Sequence, residues 1–147
     1  MAVDLYSHGY GDKWTDLLVR RRQGYFTSVS DFHRHDFYEV NLILSGNVKI
    51  LLSDRTEQGT HCRIVLTRPG TPHYISCDSD TLYSRLYLLF SHEFLAEYVP
   101  EWKKLISVFG KNGRIVTLTP EQKEFCGQLI GSLEGETDKF RPKLTRL

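Results

Sequence analysis

The sequence contains no hydrophobic run long enough to cross a membrane, and it carries almost no net charge. No apolar stretch approaches the ~20 residues that span a bilayer, and the N-terminus lacks the basic-then-apolar order of a signal peptide. Nineteen Lys and Arg residues stand against eighteen Asp and Glu residues, which leaves a formal charge of +1. A nucleic-acid surface needs a strongly basic face to displace counterions. These absences predict a cytoplasmic chain with no membrane partner and no DNA-binding face of its own.

Cysteine is scarce, and the signature motifs of several enzyme classes are missing. The three cysteines, Cys62, Cys77 and Cys126, are scattered without a CxxC spacing, which argues against a disulfide framework or a zinc knuckle. The chain has no glycine-rich phosphate loop, no GxSxG nucleophile elbow and no HExxH zinc motif. Its 147 residues, 40% of them hydrophobic and 25% charged, suit a single globular domain.

Residues 25–90 have the alternation and the turn residues of an antiparallel β fold. Strands are predicted at 25–29, 37–45, 48–53, 63–67 and 81–90. Between the second and third strands, Gly46-Asn47 has the chemistry of a two-residue hairpin turn. Short strands separated by turn signals predict an all-β sandwich or barrel. The three arginines at residues 20–22 are interpreted as a solvated loop or a strand edge.

Helical signals follow the strands. Ser91 is predicted to cap a short helix that ends near residue 98, a second helix is predicted at 102–108, and a last strand at 114–118. The sequence TPEQ at 119–122 is a helix start with a capping box. Behind it lies one apolar stripe, which Gly135 is expected to end: Phe125, Cys126, Leu129, Ile130 and Leu133.

A further stripe begins near the end of the chain, at Phe140, Leu144 and Leu147. Pro142 is tolerable there only in the first turn of a new helix. An isolated helix shorter than ~12–15 residues is marginal in water. The sequence is therefore expected to be the front part of a longer polypeptide.

One predicted strand carries the residues of a binding site. His33, His35 and Glu39 are all odd-numbered, so they project from the same face of an extended strand, and Asn41 shares that face. His73, in the turn-rich segment 69–73, is the candidate for a fourth ligand. Three imidazoles and one carboxylate form a ligand set for a divalent transition metal such as Zn, Ni, Mn or Fe.

The same strand allows a plainer interpretation. Its even positions, from Tyr38 to Leu44, are apolar, and simple amphipathicity would turn them toward the core and the odd positions toward water. A barrel reverses this arrangement if the odd face lines a polar pocket and another element covers the even face. The apolar stripe of the helix predicted at 119–134 is available for that covering.

Two motifs resemble a known family. The sequence HRHDFYE at 33–39, followed after six residues by Gly46, matches the first cupin motif, and PGTPH at 69–73 resembles the centre of the second. More narrowly, FHRHDFYEVNLILSG, RPGTPH and RLYLLFS are similar to the N-terminal cupin domain of AraC-family transcriptional regulators. The similarity covers about residues 25–140.

The resemblance implies a mostly β fold, a cupin-type antiparallel β-barrel (double-stranded β-helix) followed by C-terminal α-helices. It also implies an effector pocket in the barrel, a helical dimer interface, and a linker to a pair of DNA-binding helix-turn-helix units. On this basis the chain divides into an N-terminal arm at 1–24, a barrel at 25–118 with short helices near 91–108, and a helical dimerisation and linker segment at 119–147. The DNA-binding part is expected beyond the end of this chain.

The leading hypothesis is a non-enzymatic sensing module. A small polar effector is expected to contact His33, His35, Glu39, Asn41, His73, Arg85 and Tyr87. A homodimer is expected to form through Phe125, Leu129, Ile130 and Leu133. The alternative is a small metal-dependent cupin enzyme, a dioxygenase or an isomerase, in which a metal is held by His33, His35, Glu39 and His73. A third interpretation is a structural dimerisation domain with a filled barrel.

Overall fold

Eight strands and three helices make up the part of the chain that the computed structural model describes, which is residues 17–25 and 36–144, with side chains to residue 133. The strands are β1 (Leu17–Gly24), β2 (Tyr38–Ser45), β3 (Val48–Leu52), β4 (Thr56–Gly59), β5 (Arg63–Thr67), β6 (His73–Cys77), β7 (Tyr83–Phe90) and β8 (Arg114–Thr117). The helices are α1 (His92–Tyr98), α2 (Trp102–Phe109) and α3 (Pro120–Leu144).

The strands form two antiparallel sheets. The larger has the order β1-β7-β2-β5-β8 and the smaller the order β4-β3-β6. Within the described residues the pairing does not continue from one sheet to the other, so the expected barrel takes the form of a two-layered sandwich. Buried side chains from both sheets form the core between them: Ile43, Val48, Ile50, Leu52, Val65, Ile75, Cys77 and Tyr83. The predicted class, mostly antiparallel β followed by C-terminal helices, is confirmed.

The helices cover the outer face of the larger sheet. The first part of α3 packs Cys126, Ile130 and Leu133 against Leu42 of β2 and Leu86 of β7. Near the other end of these two strands, α1 and α2 contribute a second buried cluster: Leu95 and Phe109 with Tyr38 and Phe90. Because apolar helix faces cover the even-numbered residues of β2, the odd-numbered residues of that strand face the space between the two sheets. None of the helices in this part of the chain is long and apolar enough to cross a membrane.

The local sequence signals located most of the elements. Strands β2, β3, β5, β7 and β8 lie within two residues of the predicted bounds, and Gly46 takes the positive φ that a hairpin turn requires. Ser91 caps α1 by accepting a hydrogen bond from the N–H of Phe94 at 3.0 Å. The capping box of α3 is also present, because Thr119 and Gln122 bond each other's backbone N–H at 3.2 and 3.0 Å.

Three other strands differ from the prediction. β4, with the sequence TEQG, has no apolar alternation to mark it, and β6 begins at His73, which the proline-rich turn had suggested was a loop residue. β1 is an edge strand of the larger sheet, so residues 17–24 belong to the sheet and not to a separate arm. The strand predicted at 25–29 falls almost entirely outside the described residues.

Helix α3 does not end at Gly135. It runs for 25 residues to Leu144, so Phe140 and Leu144 lie in the same helix and not in a new one, and Leu147 lies outside the described residues. A glycine inside a helix costs about 1 kcal/mol relative to alanine but leaves helical backbone angles accessible. Pro142 lies in the final turn of the helix.

Arg63 joins the two layers at the end of the core. Its side chain is fully buried, and its three nitrogens donate to the backbone carbonyls of His61, Val48 and Gly59 at 3.1, 3.2 and 2.8 Å. Since every nitrogen of this guanidinium bonds a backbone carbonyl, the structural role of Arg63 accounts for its burial.

Candidate functional site

An ion pair lies between the two sheets. Glu39 projects from β2 of the larger sheet, and His73 is the first residue of β6 in the smaller sheet. His73 Nε2 lies 3.0 Å from Glu39 Oε2, and the two residues are 2% and 1% exposed. The pair therefore links the two layers in a place that water reaches very little.

The His73 ring is held from both sides. Its Nδ1–H donates to the carbonyl oxygen of Thr71 at 2.7 Å, which leaves Nε2 directed at Glu39. Burial lowers the pKa of His73, but the hydrogen bond and the negative charge of Glu39, with the Thr71 contact, outweigh burial and raise the pKa above its ordinary value. The fold thus favours the protonated imidazole.

Two further polar side chains extend the pair. Asn41 Nδ2 donates to Glu39 Oε1 at 2.7 Å, and Arg85 Nη1 donates to Asn41 Oδ1 at 2.8 Å. All four residues are buried. The result is a continuous chain of polar contacts across β6, β2 and β7, with an ion pair between His73 and Glu39 and hydrogen bonds from Glu39 through Asn41 to Arg85. We call it the buried polar row.

Two tyrosines accompany Arg85 on the inner face of β7. The Arg85 guanidinium carbon lies 4.4 Å from the ring centre of Tyr87 and 6.0 Å from that of Tyr83. Burial raises the pKa of both phenols, and the positive charge of Arg85 opposes this effect only in part. Both hydroxyls therefore stay protonated at neutral pH, and each carries an O–H group of the kind that donates a hydrogen bond.

The structure brings together five of the seven residues predicted for the pocket: Glu39, Asn41, His73, Arg85 and Tyr87. His33 and His35 lie outside the described residues. The described residues contain no group of three His, Cys, Asp or Glu side chains placed to hold a metal ion. Glu39 and His73 supply two such groups. His73 donates its Nδ1–H to the carbonyl of Thr71, and a histidine that binds a metal is commonly held by a hydrogen bond of this kind. The complete four-residue metal site stays a prediction.

Sequence reasoning missed two arginines of β1. In the pairing of β1 with β7, Arg22 lies directly opposite Arg85 and Arg20 directly opposite Tyr87. Side chains of opposed residues in an antiparallel pair project from the same face of the sheet. Arg20 and Arg22 are half-buried there, while Arg21 is exposed on the other face. Side chains two residues apart on a strand share one face, and this spacing of Arg20 and Arg22 was the available signal. Arg21 between them obscures it.

The predicted dimer stripe divides into two faces of α3. Phe125 and Leu129 are 66% and 54% exposed, whereas Ile130 is 5% exposed and packs on the sheet of its own chain. Leu133 is half-buried against the same cluster. Ile130 is therefore part of the core of its own chain and not of an interface, whereas an interface through Phe125, Leu129 and Leu133 stays a prediction. The stripe is wider than one contact face, because successive residues of a helix are rotated by about 100° and adjacent positions such as Leu129 and Ile130 point in different directions.

Three solved structures to which the chain is similar are described first. The chain is similar to wild-type ToxT from Vibrio cholerae with a bound unsaturated fatty acid, at 15% identity over 88% of this chain and 56% of that one, with a TM-score of 0.55. A second ToxT structure, bound to (E)-4-(8-methylnaphthalen-1-yl)but-3-enoic acid, is 12% identical over 90% and 57% of the two chains, with a TM-score of 0.55. A cupin protein from Bacteroides fragilis is 21% identical over 53% and 68%, with a TM-score of 0.45.

The chain thus spans a little more than half the length of ToxT, and at these identities the likeness shows the fold alone. No curated protein matches the chain in sequence. The family model of the AraC-like ligand binding domain matches residues 17–144, which include every strand and helix described above. The chain therefore belongs to the family of AraC-like ligand binding domains.

Proposed function

We propose that this chain is the effector-sensing and dimerisation domain of an AraC-type DNA-binding transcriptional regulator, with no enzymatic activity of its own. The buried polar row is the observation that carries the proposal. Burying charged and amide groups costs free energy that an apolar core would avoid. Such a row in the interior of a ligand-binding domain is well placed to recognise a small polar molecule.

The effector site is assigned to the space between the sheets at the buried polar row, with Tyr87 as one wall and His33 and His35 as further contacts. The two ToxT structures hold an unsaturated fatty acid and a substituted butenoic acid, which supports a small organic molecule as the effector. The regulator is expected in the cytoplasm, and its DNA contacts are assigned to helix-turn-helix units outside these residues.

The fold offers a short physical route from the site to α3. Asn41 and Arg85 face the interior, and their neighbours Leu42 and Leu86 pack on Ile130 from the outer face of the same strands. A ligand that displaces β2 or β7 therefore also displaces the surface on which α3 packs. The ligand shifts an equilibrium only by its differential affinity for two states, typically about 1–3 kcal/mol.

Ligand binding at the polar row is tested with Asn41→Leu, which removes the central amide while keeping a similar volume. Thermal unfolding is measured with a panel of small cellular metabolites. We expect at least one compound to raise the unfolding midpoint of the wild type saturably, because a ligand that binds only the folded state stabilises it. The effect should be lost in Asn41→Leu and retained in Gln58→Leu, a matched change at an exposed position of β4. A panel without any such compound would contradict the proposal.

Dimerisation is tested separately on the exposed face of α3. Leu129→Asp places a charge where two copies of the helix are proposed to meet, next to the exposed Phe125. Sedimentation should show a dimer for the wild type and a monomer for this variant, because an unpaired charge in an apolar interface costs several kcal/mol. Gln128→Asp adds the same charge at an exposed polar position and should remain dimeric. The same sedimentation coefficient for all three proteins would exclude this interface.

A further inference from the structure

We infer that Cys62 and Cys126 form a reversible disulfide when the protein meets a peroxide, and that this bond clamps the start of α3 to the larger sheet. The modification site goes beyond the proposed function, because it lies on the outer face of that sheet and needs no effector. A disulfide of this kind is a redox switch and not the permanent framework of a secreted protein, which agrees with the scarcity of cysteine in the chain.

The first argument is that both thiols lie in the same packed cluster. Cys62 is one of the buried residues on which α3 packs, and Cys126 packs against that cluster from the helix. Cys126 is half-buried, whereas Cys62 is buried. The third cysteine, Cys77, belongs to the separate core between the sheets, where its Sγ contacts Thr81 Oγ1 at 3.4 Å. Two of the three thiols are therefore placed together, and the third is a control.

The second argument is the short path between Cys62 and the start of α3. Just past the pairing of β5 with β8, the N–H of Leu118 donates to the carbonyl oxygen of Cys62 at 3.0 Å. Helix α3 begins two residues later, at Pro120. Cys126 lies less than two turns into the helix, which is about 9 Å along its axis. The fold thus brings the chain back to Cys62 just before it reaches Cys126.

Electrostatics agree with this placement. Burial has the largest effect on the Cys62 thiol and raises its pKa, the positive charge of Lys123 opposes this effect, and a charge on Cys126 raises the pKa further. Lys123 and Cys126 are three residues apart on α3, so they lie on one face of the helix. Cys62 remains protonated at neutral pH and is buried, which assigns the first reaction with an oxidant to the more accessible Cys126.

A surface cavity beside the pair gives a small oxidant access. The cavity has a volume of about 540 Å³ and lies between the start of α3 and the outer faces of β1, β2 and β7. Lys123 and Gly127, which flank Cys126 along the helix, are among its lining residues. Gly127 faces open space, with no atom within 4 Å of the place that a Cβ would occupy. Hydrogen peroxide is much smaller than this cavity and can enter it.

The reaction balances with hydrogen peroxide as the oxidant. The Cys126 sulfur attacks one peroxide oxygen, the O–O bond breaks, and hydroxide leaves with the thiol proton as water, so that Cys126 becomes a sulfenic acid. The Cys62 sulfur then attacks the Cys126 sulfur, the S–O bond breaks, and hydroxide leaves with the Cys62 proton as a second water. The two thiols lose two electrons and two protons, and the peroxide is reduced to two water molecules. A dithiol reductant breaks the bond again.

The test oxidises the wild type and three matched variants, Cys62→Ser, Cys126→Ser and Cys77→Ser, with hydrogen peroxide. Alkylation in denaturant followed by intact mass counts the free thiols, and peptide mapping without reductant identifies a linked pair. We expect the wild type and Cys77→Ser each to lose two free thiols and to give a linked peptide of Cys62 and Cys126 within one chain. Cys62→Ser and Cys126→Ser should give no link within the chain, and dithiothreitol should restore both thiols in the wild type.

The thermal midpoint measures the clamp. Oxidation should raise the midpoint of the wild type and of Cys77→Ser by about 5–15 °C, because a disulfide that joins residues far apart in sequence restricts the unfolded chain. The same treatment should not raise the midpoint of Cys62→Ser or Cys126→Ser. Cys126→Ser, at a half-buried position, is the deciding variant if circular dichroism shows that Cys62→Ser is unfolded.

Two results would overturn the inference. One is an oxidised wild type without a link between Cys62 and Cys126 inside one chain, which includes the case of links between two chains only. The other is a linked pair that leaves the midpoint unchanged or lowers it, because the bond then does not clamp the helix. The proposed sensing function stands after either result, since it depends on the buried polar row on the opposite face of the sheet.

Discussion

Glu39→Ala is expected to lower the free energy of unfolding by about 3–5 kcal/mol, because it removes one partner of a buried ion pair and leaves the other uncompensated. Glu39 accepts hydrogen bonds from Asn41 and pairs with His73, so both partners lose their contact at once. Denaturant unfolding near pH 6 measures the loss. Glu39→Gln keeps the shape but not the charge and should lose less. Equal stability of the wild type and Glu39→Ala would show that the pair does not hold the two sheets together.

The same pair sets a dependence of stability on pH. The pKa of His73 is raised in the folded protein, so its contribution to stability is fully present below the unfolded value near 6.5 and is lost as pH rises through the folded value. NMR titration of the His73 ring should therefore give a midpoint above 6.5 in the wild type. In Glu39→Gln, burial and the charge of Arg85 remain without the opposing carboxylate, and the midpoint should fall below that value. A midpoint unchanged by the substitution would contradict this assignment.

Ile130→Ala is expected to destabilise the protein by about 2–4 kcal/mol, the usual cost of a cavity at a buried aliphatic position. Its side chain is packed among Val19, Leu42 and Leu86, which are themselves buried. Leu129→Ala, one residue away on the exposed side of α3, should change stability by less than about 1 kcal/mol. Denaturant unfolding of the two variants at a protein concentration where both are monomeric separates packing from association.

Comparing the stabilities of these two variants separates the roles of the two faces of α3. A large loss in Ile130→Ala with little loss in Leu129→Ala would show that the inward face holds α3 on the sheet, as its burial indicates. The exposed face then remains available for a second copy. Similar losses in both variants would mean that α3 is not docked as described, and the proposed route from the polar row to the helix would be lost with it.

Local sequence chemistry was a good guide to elements but a poor guide to pairing. The alternation of β2, the turn glycine Gly46 and the capping box of α3 each act over a few neighbouring residues, and all three were predicted. The segment of β1 was left open between a solvated loop and a strand edge, because its long polar residues suit both until β7 is placed beside it. Side-chain alternation singled out Glu39 and Asn41, the turn-rich segment singled out His73, and the resemblance to a family narrowed the predicted sandwich or barrel to a cupin-type fold.

The sequence by itself determined that Glu39 and Asn41 share one face of a strand, since side-chain alternation is a property of the extended backbone. It did not determine which face is inside. Only the tertiary structure decided that, because Ile130 and its neighbours on α3 cover the opposite, apolar face and leave the polar one between the sheets. The pairing of Arg22 with Arg85 also depends on strands that are far apart in the chain, and no local pattern records such a pairing.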